Sequence, residues 1–165
     1  MNIVTDAVVL AFRTLGYTVS FREASRAVAE RCFDVCVELV LNPEFGGSMI
    51  RSVPSIILFD DLRRMRTYFE TYLAYCSDLT SRLTDEDLGA YEEDFRWCVP
   101  LNLGYQLKAD SGEALADGAG DFGLLTLVNV GFAEDGTRVF AGADSTMTFA
   151  AVRRLIEDIE RLIGP

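Results

Sequence analysis

Residues 118–123 read GAGDFG, and they offer two chemistries at once. Gly118, Gly120 and Gly123 carry the G-x-G-x-x-G spacing that cradles a dinucleotide pyrophosphate, while Asp121-Phe122-Gly123 spells the metal-binding triplet of protein kinases. Each chemistry needs a context. A dinucleotide fingerprint follows a strand and opens a helix, so that the phosphates meet the amides of the helix start. Here a polar stretch, 109–117, precedes the glycines and a strand-forming run, 122–132, follows them. The kinase triplet needs a glycine-rich ATP loop and an H-R-D segment, and the chain has neither. Residues 118–123 therefore read as a hairpin loop.

The sequence contains no histidine. That removes the commonest general base, the usual activator of a nucleophile and the usual zinc ligand, so Cys-His and Ser-His-Asp mechanisms are excluded. Cys32 and Cys36 are four residues apart, but Cys76 and Cys98 stand singly, and nothing resembles paired C-x-x-C knuckles. They read as reduced core or face thiols rather than metal ligands. Asp60-Asp61 suits a helix cap better than a catalytic pair, because adjacent side chains at a helix start diverge. Arg63, Arg64 and Arg66 fall on one exposed helix side and read as local salt-bridge formers. No catalytic residue, cofactor site or metal ligand is expected, and the chain reads as a non-enzyme.

The densest ionisable group is TDEDLGAYEEDF, with Asp85, Glu86, Asp87, Glu92, Glu93 and Asp94 inside ten positions. Crowded like charges repel, so this segment is the expected surface for a basic partner. The net charge of −11 agrees, since it opposes binding to nucleic acid or to an anionic membrane, both of which need clustered Lys and Arg. Half of the 165 residues are apolar, enough for one folded domain spanning 1–165. The apolar stretch 7–15 is short, is broken by Arg13 and lacks a preceding basic region, and no run is long enough to span a membrane. A cytoplasmic protein is expected.

These residues must be positioned by elements. Val4, Ala7, Val8, Ala11, Phe12 and Leu15 recur at helical spacing before Gly16, which predicts an N-terminal helix. Ser20-Phe-Arg-Glu23 resembles a capping box opening a second helix to about Arg31, although Thr18, Val19 and Phe21 suit a strand equally. Residues 1–32 are thus expected to be a helical segment ahead of a sheet-and-helix core, 33–163. FDVCVELVL (33–41) alternates as a half-buried strand, with Phe33, Val35, Val37, Leu39 and Leu41 inward. After the turn NPEFGG, a partner strand covers about 50–59, with Pro54 marking an edge or bulge. A long helix follows, buried along Leu62, Met65, Phe69, Tyr72, Leu73, Cys76 and Leu83. Then come a strand over 97–107 with Trp97 in the core, a central strand covered on both faces at 122–132, and a hairpin at Asp135-Gly136 into 137–142. Thr148 caps a last helix striped by Val152, Leu155, Ile156, Ile159, Leu162 and Ile163, with Glu157 and Arg161 as an i, i+4 pair. The sum is an α+β domain with a single antiparallel sheet of about five strands and two to three helices packed on it.

The run Ile56-Ile-Leu-Phe-Asp-Asp-Leu62, with its DDL entry into the long helix, and RVFAGADSTMTFAAVRRLIEDIERLI (138–163), a strand running into a helix, resemble the WapI-like immunity proteins of bacterial polymorphic toxin systems. The likeness covers residues 33–163. It implies a small non-catalytic cytoplasmic protein that binds and neutralises a cognate toxin domain with a basic surface. The chain also resembles acidic type III secretion chaperones, which interleave a helix among antiparallel strands. That likeness implies a dimer holding an unfolded effector segment.

Overall fold

The computed structural model describes residues 7–24, 31–82, 97–100, 102 and 104–164. In chain order they form β1 (Val8–Arg13), β2 (Tyr17–Glu23), β3 (Cys32–Leu41), a 3-10 turn (Pro43–Phe45), β4 (Met49–Arg51), β5 (Ser55–Leu58) and α1 (Phe59–Arg82). After these come β6 (Tyr105–Ala114), β7 (Gly120–Phe132), β8 (Arg138–Thr148) and α2 (Phe149–Ile163). The architecture is α+β, with antiparallel strands and, among the described residues, two helices.

The expected N-terminal helix is a strand where it is described. Residues 8–13 pair antiparallel with β2, and a register shift between Val8 and Leu10 lets Val8, Val9 and Leu10 run together without breaking the ladder. That bulge hides the two-residue period and leaves a pattern that mimics helical spacing. Beyond it, Leu10 and Phe12 alternate into the core. Gly16 ends no helix: it lies in the β1–β2 turn, where Thr14 Oγ1 accepts from the Gly16 and Tyr17 amides at 3.2 and 3.0 Å. Of the second expected helix, its opening Ser20–Glu23 belongs instead to β2, in unbroken register with β3 from Tyr17↔Leu41 to Glu23↔Val35, while 25–30 lie outside the described residues.

The partner strand foreseen over 50–59 is two short strands on the same edge of β3, joined across Pro54. Ser52 bridges the break, since its amide donates to Val37 O and its Oγ accepts from Val37 N–H, both at 2.8 Å. The strand expected over 97–107 begins only at Tyr105 and runs on into the polar stretch, to Ala114. Pro100 and Gly104 interrupt the earlier alternation, and among the described residues of 97–104 only Cys98 bridges, to Leu107; Leu101 and Leu103 lie outside them. Parity is therefore reversed: Cys98 is buried and Trp97 is 41% exposed rather than in the core. GAGDFG is not wholly a loop either. Gly118, at φ 80°, sits in the 115–119 turn, and residues 120–123 already belong to β7.

Instead of one sheet there are two, a five-stranded sheet from β1 to β5 and a three-stranded sheet β6–β7–β8. Their inner faces share one core with the helices. Phe21 meets Tyr105 edge-on at 5.3 Å, and Phe122 lies between Phe69, Tyr72 and Phe149 at 6.2, 5.1 and 6.3 Å. Tyr17 Oη lies 2.6 Å from Leu124 O and 2.9 Å from Thr126 Oγ1, tying β2 to β7. The Leu15 amide donates to Thr146 O at 2.8 Å, and that of Val53 to Asn129 O at 2.8 Å. These single ties replace a continuous ladder.

β7 is central as expected, but apart from Asn129 only Phe122, Leu124, Thr126 and Val128, of its inner parity, are buried; Leu125 and Leu127 are half-buried on the outer face. The start of α2 carries the cap its sequence suggests, whereas α1 begins at Phe59 and holds Asp60 and Asp61 inside its first turn rather than at the cap. Thr148 Oγ1 accepts from Ala151 N–H at 3.2 Å, and Asp61 Oδ2 reaches back to Leu58 N–H at 3.0 Å. Arg161 pairs with Asp158, not with Glu157, one turn away on the same side.

Candidate functional site

The acidic residues Asp85, Glu86, Asp87, Glu92, Glu93 and Asp94 lie outside the described residues. Among the described residues a different surface brings recognition groups together, where the two sheets meet. On the first sheet, Asp34 and Ile56 are register partners on the outward parity of β3 and β5, with Cys32 two residues before Asp34. Pro54 cannot extend the ladder, so the chain swings off β3 there and Val53 is free to bond Asn129. On the second sheet, a bulge between Asn129 and Gly131 turns the end of β7 outward. Gly131 holds φ 148°, a conformation that favours glycine.

The result is an open cleft of about 510 Å³, lined by Asp34, Ile56, Asn102, Asn129, Phe132 and Arg138 among others. Phe132 is 61% exposed and Ile56 46% exposed, so both present apolar surface to solvent. Arg138 pairs in register with Phe132, its guanidinium 5.7 Å from the ring centroid, close enough for a cation–π contact. Asn102 Nδ2 donates to Ile56 O at 3.0 Å and closes the edge of β5. The cleft thus offers one guanidinium, one carboxylate, side-chain amides and two apolar anchors.

Displaced proton affinities are found mainly in the core. Burial pushes the Cys76 thiol up to about 11, the Cys98 thiol up to about 12 and the Tyr68 hydroxyl up to about 12. The same cause raises Tyr17, Tyr72 and Tyr105. At the β7–β8 turn, Asp135 is lowered by its hydrogen bonds with Thr137. All four cysteines are free thiols; Cys36, Cys76 and Cys98 are buried and Cys32 is half-buried at the cleft. Among the described residues no three side chains of His, Cys, Asp or Glu gather as a metal site, and no helix is long and apolar enough to cross a membrane.

The other singled-out charges diverge as their spacing suggests. Asp60 pairs with Arg63 at 2.6 Å on the surface while Asp61 is buried against the helix start. Arg66 lies 3.7 Å from both Glu70 and Glu160, linking α1 to α2. Sequence reasoning did not find the cleft. Pro54 was its one visible marker, because Asp34, Ile56, Phe132 and Arg138 are far apart in the chain and only the fold joins them. Comparison with protein families, with curated proteins and with solved structures returns no match.

Proposed function

We propose that this chain is a non-catalytic cytoplasmic protein that binds and neutralises a cognate bacterial toxin domain. The cleft supplies the anchor, and the charge of the acidic segment 85–94 speeds the capture of a basic partner. The observation that carries this reading is the pairing of exposed Phe132 and Ile56 with Arg138 at the mouth of an open cleft. Aromatic and arginine side chains beside apolar neighbours dominate binding energy at protein interfaces. The charge of −11 favours fast, salt-sensitive capture of a cationic surface.

The direct experiment is a pull-down with the product of the adjacent gene, followed by binding kinetics over a salt series. Phe132→Ser is expected to weaken the complex about thirtyfold, the loss of a single hot spot. Neutralising the six acidic residues should instead slow association and flatten its salt dependence. Unchanged affinity in both variants would overturn the reading. The half-buried Leu125 and Leu127, on the outer face of β7, favour a second reading, a secretion chaperone that takes an extended effector segment. The state of the captured partner separates the two: a folded, protease-resistant domain supports neutralisation, and an unfolded segment supports the chaperone.

A further inference from the structure

Among the described residues, β8 is an edge strand of eleven residues, paired only with β7. Thr146 O accepts from Leu15 N–H, so the backbone groups of Thr146 point away from β7. In a regular antiparallel strand that direction alternates, and Phe140, Gly142 and Asp144 share the parity of Thr146. Among the described residues nothing bonds the outward amides and carbonyls of those three. Edges of this length are commonly guarded by lysine, proline or a bulge. RVFAGADSTMT contains no lysine or proline, and the one register shift in its ladder, opposite Phe140 and Val139, puts the extra residue in β7 rather than in β8.

We propose that the occupant of this edge is a second copy of the chain, joined through β8 of both protomers in antiparallel register about a two-fold axis at Ala141. Three observations select that register. Arg138 and Asp144 are the only charged residues of β8, and rotation about Ala141 sets each Arg138 opposite the other copy's Asp144 on the same sheet face. The outward parity is preserved, so Phe140 exchanges backbone hydrogen bonds with the second copy's Gly142. The ring of Phe140 then covers a position that has no side chain. Finally, the free stretch ends where Leu15 occupies Thr146, and in this register the incoming strand begins at its own Arg138, opposite Asp144 and short of that block. The two small sheets become one six-stranded sheet across the dimer. Val139, 43% exposed, lies opposite the other copy's Ala143.

The test is analytical ultracentrifugation of the full chain over a wide concentration range, with amide hydrogen exchange at low and high concentration. A monomer–dimer equilibrium is expected, with slower exchange at Phe140, Gly142 and Asp144 as concentration rises. Asp144→Arg should weaken self-association by about tenfold, since it turns two cross-strand attractions into repulsions. The swap Arg138→Asp with Asp144→Arg should restore it. A monomer at every concentration overturns the proposal, as does a dimer that Asp144→Arg leaves intact, one that the swap fails to restore, or one without protection at those three amides. Asp144 does not line the cleft, so Asp144→Arg should break the dimer and leave partner capture in place, and either idea can fail without the other.

Discussion

Glu38 sits on the parity of β3 that alternation assigns to solvent, yet its side chain is only 8% exposed. Arg22 Nε approaches it at 2.5 Å and Arg51 at 3.2 Å. A carboxylate withdrawn from water in this way depends on both cations. Glu38→Ala is expected to lower stability by about 2 kcal/mol in urea unfolding, and Arg22→Ala should cost more than Arg51→Ala because Arg51 is the more exposed partner. The thiols divide on the same principle. Native protein should give one fast-reacting cysteine with a disulfide reagent, Cys32, while Cys36, Cys76 and Cys98 react only on unfolding. Burial also sets the alkaline limit. Cys76 and Cys98 have folded pKa values of about 11 and 12 against an ordinary 9.0, so below pH 9 both states hold these protons and stability does not respond. Above pH 9 the unfolded chain releases them first, and stability should fall progressively toward pH 12, as read from denaturant midpoints against pH.

Among the elements, those defined by short-range signals were legible. The Thr148 cap and the stripe Val152, Leu155, Ile159 and Ile163 announced α2, Asp135-Gly136 announced the β7–β8 hairpin, and the alternation of 33–41 announced β3. Thr148→Ala should lower stability by about 1 kcal/mol, and Thr148→Ser should retain most of it, by thermal unfolding. Elements shaped by tertiary contacts were not legible. β1 carries a bulge whose local pattern counts as helical, and β6 continues through 109–114 because β7 supplies the pairing that its polar residues do not advertise. Gly112 shows the same dependence: its amide bonds Tyr72 Oη at 3.0 Å, and a Cβ there would strike Tyr72 and Cys76, so α1 demands the glycine. The cleft was illegible for a similar reason, since Phe132 and Ile56 look like ordinary strand residues until the bulge and Pro54 expose them.

For the whole molecule, the ties between the sheets matter more than their area of pairing. Tyr17 joins β2 to β7 across 107 positions of sequence. Tyr17→Phe removes that bond from a buried site, and an expected loss of about 1–2 kcal/mol should appear as one shifted transition rather than two. Each sheet, in contrast, is built from a continuous stretch of chain, β1 to β5 before α1 and β6 to β8 after it, and most pairings within them join neighbours. Such local pairing is fast to form, whereas the seam must wait for both sides. The gene is therefore divisible: two polypeptides separated between residues 82 and 97 each keep a whole ladder, and co-expression should reconstitute a tight non-covalent pair. A reporter split at that point would light up only when both halves dock.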